Sequence, residues 1–233
     1  MGCPGVPPTT AMSFLGVLML QTRFARVLGD VGNAASFAMP VRYRVVPGAS
    51  AQRVVRAADE TLLEPFIAAA RALVDEGASA ITTSCGFLVQ FQHALQMAVP
   101  VPVWTSSLLL LPDLRSPGVL TVDADSLAAR HWLAAGAAVD TPVQGLAPGC
   151  HLQSVLLDDM STDPLTLDTM QAECDTVAAG QRLVARHPQV QNIVLECTNL
   201  PPYSDAVQLA TGRPVHHLLS LIHSRWQAQG FAN

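Results

Sequence analysis

Cys85 stands in "TTSCGF" (82–87) and Cys197 in "ECTNLP" (196–201) of a 233-residue chain. Each follows a β-rich run, "SAITTS" or "NIVLE", and each precedes a helical pattern. A cysteine so placed lies at the carboxyl end of a parallel strand, beside helix N-terminal N–H groups that favour an anion. The same partial positive charge is expected to lower a thiol from its ordinary value of about 8.5. Two such thiols on opposite faces of one carbon suit a particular chemistry. One, as thiolate, removes a proton α to a carboxylate, and the other, as thiol, returns a proton to the opposite face. The backbone N–H groups of Gly86, Phe87, Thr198 and Asn199 are then the candidates to hold the carboxylate and the charge that develops on it. Read one at a time, the cysteines are more simply core residues, since free cysteine is among the most buried residue types.

A repeat links the two. When the chain is offset by 112 positions, so that residue 85 lies on 197, "CGFLVQFQHALQMAVPVPV" aligns without gaps on "CTNLPPYSDAVQLATGRPV". Leu88/Leu200, Ala94/Ala206, Gln96/Gln208, Ala98/Ala210, Pro102/Pro214 and Val103/Val215 are identical. Each copy reads strand, cysteine, helix, Pro-Val strand. Facing halves would point Cys85 and Cys197 into one cleft.

The elements that must position them follow from periodicity. Short apolar runs ("SFLGVLML", "VRYRVV", "ASAITT", "VPVW") alternate with longer helical patterns such as "ETLLEPFIAAARALVDEG", and the alternation resumes after "LPDLRSPG" with "GVLTV", "NIVLE" and "PVHHL". This is the pattern of βαβ units and parallel sheets. The expected fold is α/β, with two pseudo-symmetric parallel-sheet domains and the active site in the cleft between them. The expected boundaries are a flexible tail at 1–12, a first domain of 13–112 plus about 216–233, and a second domain of 113–215. A stripe of Leu167, Met170, Cys174, Val177 and Leu183 reads as the core face of a long helix.

On these residues the chain resembles the aspartate/glutamate racemase superfamily, which includes cofactor-independent amino-acid racemases, hydantoin racemases, maleate isomerases and arylmalonate decarboxylases. "ECTNLPPY" is similar to the second cysteine motif of that superfamily and "TTSCGF" to the first, and the resemblance runs from about Ser13 to the end. It implies a cofactor-independent racemase or epimerase in which Cys85 and Cys197 are the acid and base. The alternatives are cis–trans isomerisation or decarboxylation of a small dicarboxylic acid, and, from another class, a carboxylate-binding regulatory protein. The presence of both cysteines favours two-base chemistry over decarboxylation. The chain lacks the Asp-Ser-Gly loop of glutamate racemases and has Asn199 where many have histidine, which argues against glutamate as substrate.

Other residues contribute less. "GDVGN" (29–33) reads as a loop over the cleft, with Asp30 and Asn33 as candidate substrate contacts beside Thr22, which lies just past the first strand. Glu196 could tune Cys197 or form a salt bridge. His216 or His217 could orient a cysteine, but no metal-ligand spacing surrounds them. No metal or cofactor is expected. With few basic residues near the cysteines, backbone N–H groups rather than an arginine clamp are expected to bind the carboxylate.

Charged residues make up 13% of the chain and the net charge is −5, without a basic cluster for nucleic acid. The apolar runs are shorter than the roughly 20 residues of a membrane span. Five cysteines without a CxxC pair or a secretory leader fit a reducing, cytoplasmic setting better than a disulfide framework. The expected partner is a small carboxylate, with a homodimer open because alanine- and leucine-rich helices can cover an interface.

Overall fold

A computed structural model describes residues 13–158 and 166–231. The expected tail at 1–12 lies outside the described residues. The aliphatic runs form two parallel sheets. The first comprises β1 (Phe14–Met19), β2 (Val41–Val45), β3 (Ala78–Thr83) and β4 (Val103–Trp104), in the order β2-β1-β3-β4. The second comprises β5 (Pro117–Thr121), β6 (Val143–Gly145), β7 (Asn192–Leu195) and β8 (Val215–His217), in the order β6-β5-β7-β8. Strand for strand, the second sheet repeats the first, and every pairing is parallel. The six residues of β1 are all buried, as expected of a central parallel strand covered on both faces.

The helices are α1 (Leu63–Asp75), α2 (Gln92–Ala98), α3 (Ala129–Ala135), α4 (His151–Leu157), α5 (Thr169–Arg186), α6 (Ser204–Thr211) and α7 (Leu218–Ala228). Leu218, Leu221, Ile222 and Trp226 of α7 pack with Leu15, Val17 and Trp104, so the last helix returns to the first sheet. Glycine permits close helix approach at equivalent places in the two halves. A β-carbon on Gly16 of β1 would lie 2.7 Å from Ile81 Cδ1 and 3.0 Å from Leu73 Cδ1. One on Gly118 of β5 would lie 2.9 Å from Val190 Cγ2 and 3.2 Å from Leu183 Cδ2.

The repeated glutamines have a common task. Gln96 Oε1 accepts from the Val103 N–H at 2.9 Å, and Gln208 Oε1 accepts from the Val215 N–H at 3.2 Å. Each ties the helix after a cysteine to the start of the following strand. The matched cysteines also share backbone geometry: Leu88 N–H donates to the Cys85 carbonyl and Leu200 N–H to the Cys197 carbonyl, both at 3.1 Å.

One reading changes in part: of the expected stripe, Leu183 is buried and Leu167 and Val177 pack against the core, but Met170 and Cys174 are exposed, and the inward face is completed by Ala172, Thr176, Ala179 and Gly180. Small residues win because α5 approaches its neighbours closely; a β-carbon on Gly180 would lie 3.0 Å from Val207 Cγ1 of α6. β6 and α4 are too short to give a clear periodic signal. None of the helices among the described residues is long and apolar enough to cross a membrane.

Candidate active site

β3 and β7 deliver the two cysteines to one tight cavity, with free room of about 30 Å³. Cys85 (9% exposed) and Cys197 (7%) both line it. Leu20, Phe24, Val55, Phe87, Val122 and Leu156 supply apolar walls, while Thr22, Arg26 and Glu196 add polar groups. Cys85 has extended backbone (φ −152°, ψ 121°) and precedes a 3-10 turn, Gly86–Phe91, that leads into α2.

Of the residues singled out in the sequence, Gly86, Phe87, Thr198, Asn199 and Thr22 join the cysteines at the cavity. Phe87 and Leu88 present N–H groups to Cys85, and Asn199 presents its N–H to Cys197. Thr198 Oγ1 donates to the Ser84 carbonyl at 2.6 Å, stitching the two cysteine loops together. Asp30 and Asn33 do not line this cavity. Asp30 is buried behind it and accepts from Asn199 Nδ2 at 2.6 Å, while Asn199 Oδ1 accepts from the Cys197 thiol at 3.5 Å. Asn33 caps a short turn and donates to the Arg26 carbonyl at 2.9 Å, so it shapes the loop. Gly29 (φ +94°) lets that loop lie on the second cysteine segment: a β-carbon there would sit 2.9 Å from Pro202 Cα. His216 pairs with Asn192 and His217 caps α7, and neither lines the cavity.

Sequence reasoning missed Arg26. Its guanidinium lines the cavity, pairs with Asp30 at 3.1 Å, donates to Thr22 Oγ1 at 2.8 Å and stacks 4.4 Å from the Phe24 ring. A side chain beside the thiols thus adds a cation where only backbone donors were expected. The signal was present as "RFAR" after the first strand, but a lone arginine in a loop has no periodic pattern to assign it.

The thiols also differ from expectation in charge. Burial pushes the Cys85 thiol up to about 12, with the Glu196 carboxylate next in effect, against the opposing pull of the Phe87 and Leu88 N–H groups and Arg26. Cys197 is likewise raised well above its ordinary value, by burial first and then by Glu196. The helix-end effect expected from sequence has the right sign but is outweighed by desolvation. Glu196 itself is fully buried and raised to about 8 by burial, although a hydrogen bond from Thr121 Oγ1 to its Oε2 (2.7 Å) opposes the rise.

No family model matches the sequence. The fold is that of the aspartate/glutamate racemase superfamily. A cysteine-for-glycine mutant of arylmalonate decarboxylase superposes with TM-score 0.63 at 18% identity, covering 94% of this chain and 95% of that one. Glutamate racemase from Francisella tularensis superposes with TM-score 0.53 at 14% identity, covering 95% and 83%. Within that fold the sequence is more specific. It is 31% identical to a dimethylsulfoniopropionate lyase of Durusdinium over 99% of this chain and 79% of the relative. It is 29% identical to dimethylsulfoniopropionate lyase 7 of Emiliania huxleyi, over 90% of this chain but 65% of that longer protein. The chain belongs to the family of these lyases.

Proposed function

We propose that the protein is a lyase acting on a small carboxylate with a sulfonium group at the β-carbon, of the dimethylsulfoniopropionate type. The observation that carries this reading is a mainly apolar cavity lined by two buried thiols, in a chain 31% identical to such a lyase. The reaction follows from the chemistry of that substrate. A cysteine thiolate takes a proton from the carbon α to the carboxylate; the C–H electron pair forms the Cα–Cβ double bond, and the Cβ–S pair leaves on sulfur. The products are a neutral dimethyl thioether, acrylate and a proton now on the cysteine, which passes to solvent before the next turnover.

The electrostatics favour a cationic substrate. Burial first, and then the Glu196 carboxylate, favour the protonated form of both thiols. A sulfonium entering beside them offsets that penalty, so the base is generated when the substrate is in place. Arg26, between Thr22 and Asp30, is the group best suited to the substrate carboxylate, with Asn199 joined to it through Asp30. An elimination needs one base and no acid for a thioether leaving group, whereas an inversion needs both thiols.

The test is headspace detection of dimethyl sulfide, with acrylate measured in solution, on addition of dimethylsulfoniopropionate. Equimolar release of the two supports the lyase. No release, together with α-deuteration and loss of optical activity of a chiral small acid in deuterated water, would return the protein to racemisation. The matched cysteines lining one cavity are what favour that second reading.

A further inference from the structure

We propose that Glu196 is the counter-charge that recognises the onium head of the substrate, and that it makes the cavity selective for fully alkylated cations over neutral groups of the same shape. This inference rests on the lyase reading for the identity of the cation, but its geometry stands apart from it.

Glu196 follows β7 and lines the cavity with no exposed surface. Its Oε2 accepts the Thr121 hydroxyl at 2.7 Å, while its Oε1 is buried with no hydrogen-bond partner among the described residues. An unpartnered buried carboxyl oxygen is costly unless something that enters the site satisfies it, and a cation entering beside Glu196 also favours loss of the proton that burial keeps on this carboxyl. Glu196 also occupies space vacated by another residue. A β-carbon on Gly86 would collide with the Glu196 carbonyl and Oε1, and would lie 2.9 Å from its Cδ. The carboxylate of the second half is therefore laid against the backbone beside Cys85 of the first.

The equivalent residue before Cys85 is Ser84, whose Oγ is already occupied by the Leu20 N–H at 2.9 Å. Of the two matched positions, only Glu196 thus has a side-chain oxygen without a hydrogen-bond partner among the described residues. A primary ammonium brings three N–H donors and would need three acceptors, whereas an alkylated sulfonium or quaternary ammonium brings none. One carboxylate oxygen within apolar walls suits the second kind of cation. Its charge spreads over methyl groups, which Val55, Val122 and Phe87 can cover.

The test compares two unreactive probes of one shape, 3-(trimethylammonio)propionate and 4,4-dimethylpentanoate, by calorimetry on wild type, Glu196→Gln and Glu196→Asp. Wild type should bind the cation at least about tenfold more tightly than the neutral probe. Glu196→Gln should bring that ratio to about one while leaving the neutral probe's affinity within a few-fold, and Glu196→Asp should fall between. Thermal melting of each variant reports folding. If Glu196→Gln does not fold, an undiminished ratio in Glu196→Asp overturns the proposal. An undiminished ratio in folded Glu196→Gln, or equal binding of both probes by wild type, overturns it too. Release of dimethyl sulfide is measured in parallel. A Glu196-dependent cation preference without release leaves this inference standing and removes the lyase reading; release with a preference indifferent to Glu196 does the reverse.

Discussion

The two halves carry the same cysteine on the same strand with the same carbonyl-capping turn, yet they surround it differently. Cys85 follows Ser84 and precedes Gly86; Cys197 follows Glu196 and precedes Thr198. Around Cys85 the donors are backbone N–H groups, from Phe87 and Leu88. Around Cys197 a side-chain chain runs from the thiol through Asn199 and Asp30 to Arg26. Duplication explains the shared scaffold, and the departures from symmetry show where a task is divided unequally. A racemase needs two thiols of comparable reach, whereas an elimination needs one base and a place for the leaving group. The unequal surroundings favour the second.

The largest effect expected is on the cysteines. Cys85→Ser and Cys197→Ser should lower dimethyl sulfide release unequally, the variant that lacks the base by about 10²–10⁴-fold and the other by much less. Initial rates by headspace chromatography check this, and equal losses would restore a symmetric two-base mechanism. The comparison can next be broken by pH. Because burial raises Glu196 to about 8 in the folded protein, the native state holds its proton after the unfolded chain, with an ordinary value of 4.5, has lost it. That contribution is complete below about 4.5 and is lost as pH rises through about 8. Denaturant melts of wild type should therefore weaken across that range by an amount on the order of a few kcal/mol, and Glu196→Gln should flatten the decline. Ser84→Ala, at the equivalent position, should leave the slope unchanged.

Asn199→Ala sharpens the comparison further, because it cuts the Cys197 side of the network and leaves the buried Asp30 without one donor. A loss of about 1–3 kcal/mol in stability, measured by urea unfolding, is expected from the lost hydrogen bond to a charged group, since Arg26 and Gly32 still donate to Asp30. The smallest effect belongs to the ion pair that bridges the halves at the rim, Arg56 Nε to Asp123 Oδ2 at 2.9 Å. Arg56 is well exposed, so Arg56→Ala should cost less than about 1 kcal/mol, and 1 M salt should reproduce that loss in wild type.

Much of this architecture was legible in the sequence. The alternation of aliphatic runs with helical patterns located seven of the eight strands found among the described residues. The offset that aligns Cys85 with Cys197 also aligns Gln96 with Gln208, and both glutamines proved to clamp the next strand. The face of the long helix was read correctly at Leu183 but not at Met170 and Cys174, which are exposed, because hydrophobicity ranks them as core while the close approach to α6 is made at small residues such as Gly180. Asp30 was read as a candidate substrate contact, and the structure gives it another place. It holds Asn199, 169 positions away, and does not itself line the cavity.

By itself the sequence determined all the strands but β6, the duplication and the pair of cysteines at strand ends, since these depend on local periodicity and on a repeat that needs no coordinates. The tertiary structure alone decided which charges the thiols face. Arg26 arrives from a loop without pattern, and Glu196 crosses to Gly86 in the opposite half. Burial and Coulomb interactions depend on distances through the folded core. The resulting rise of both thiols, against the expected fall, could emerge only once the two halves had closed on one another.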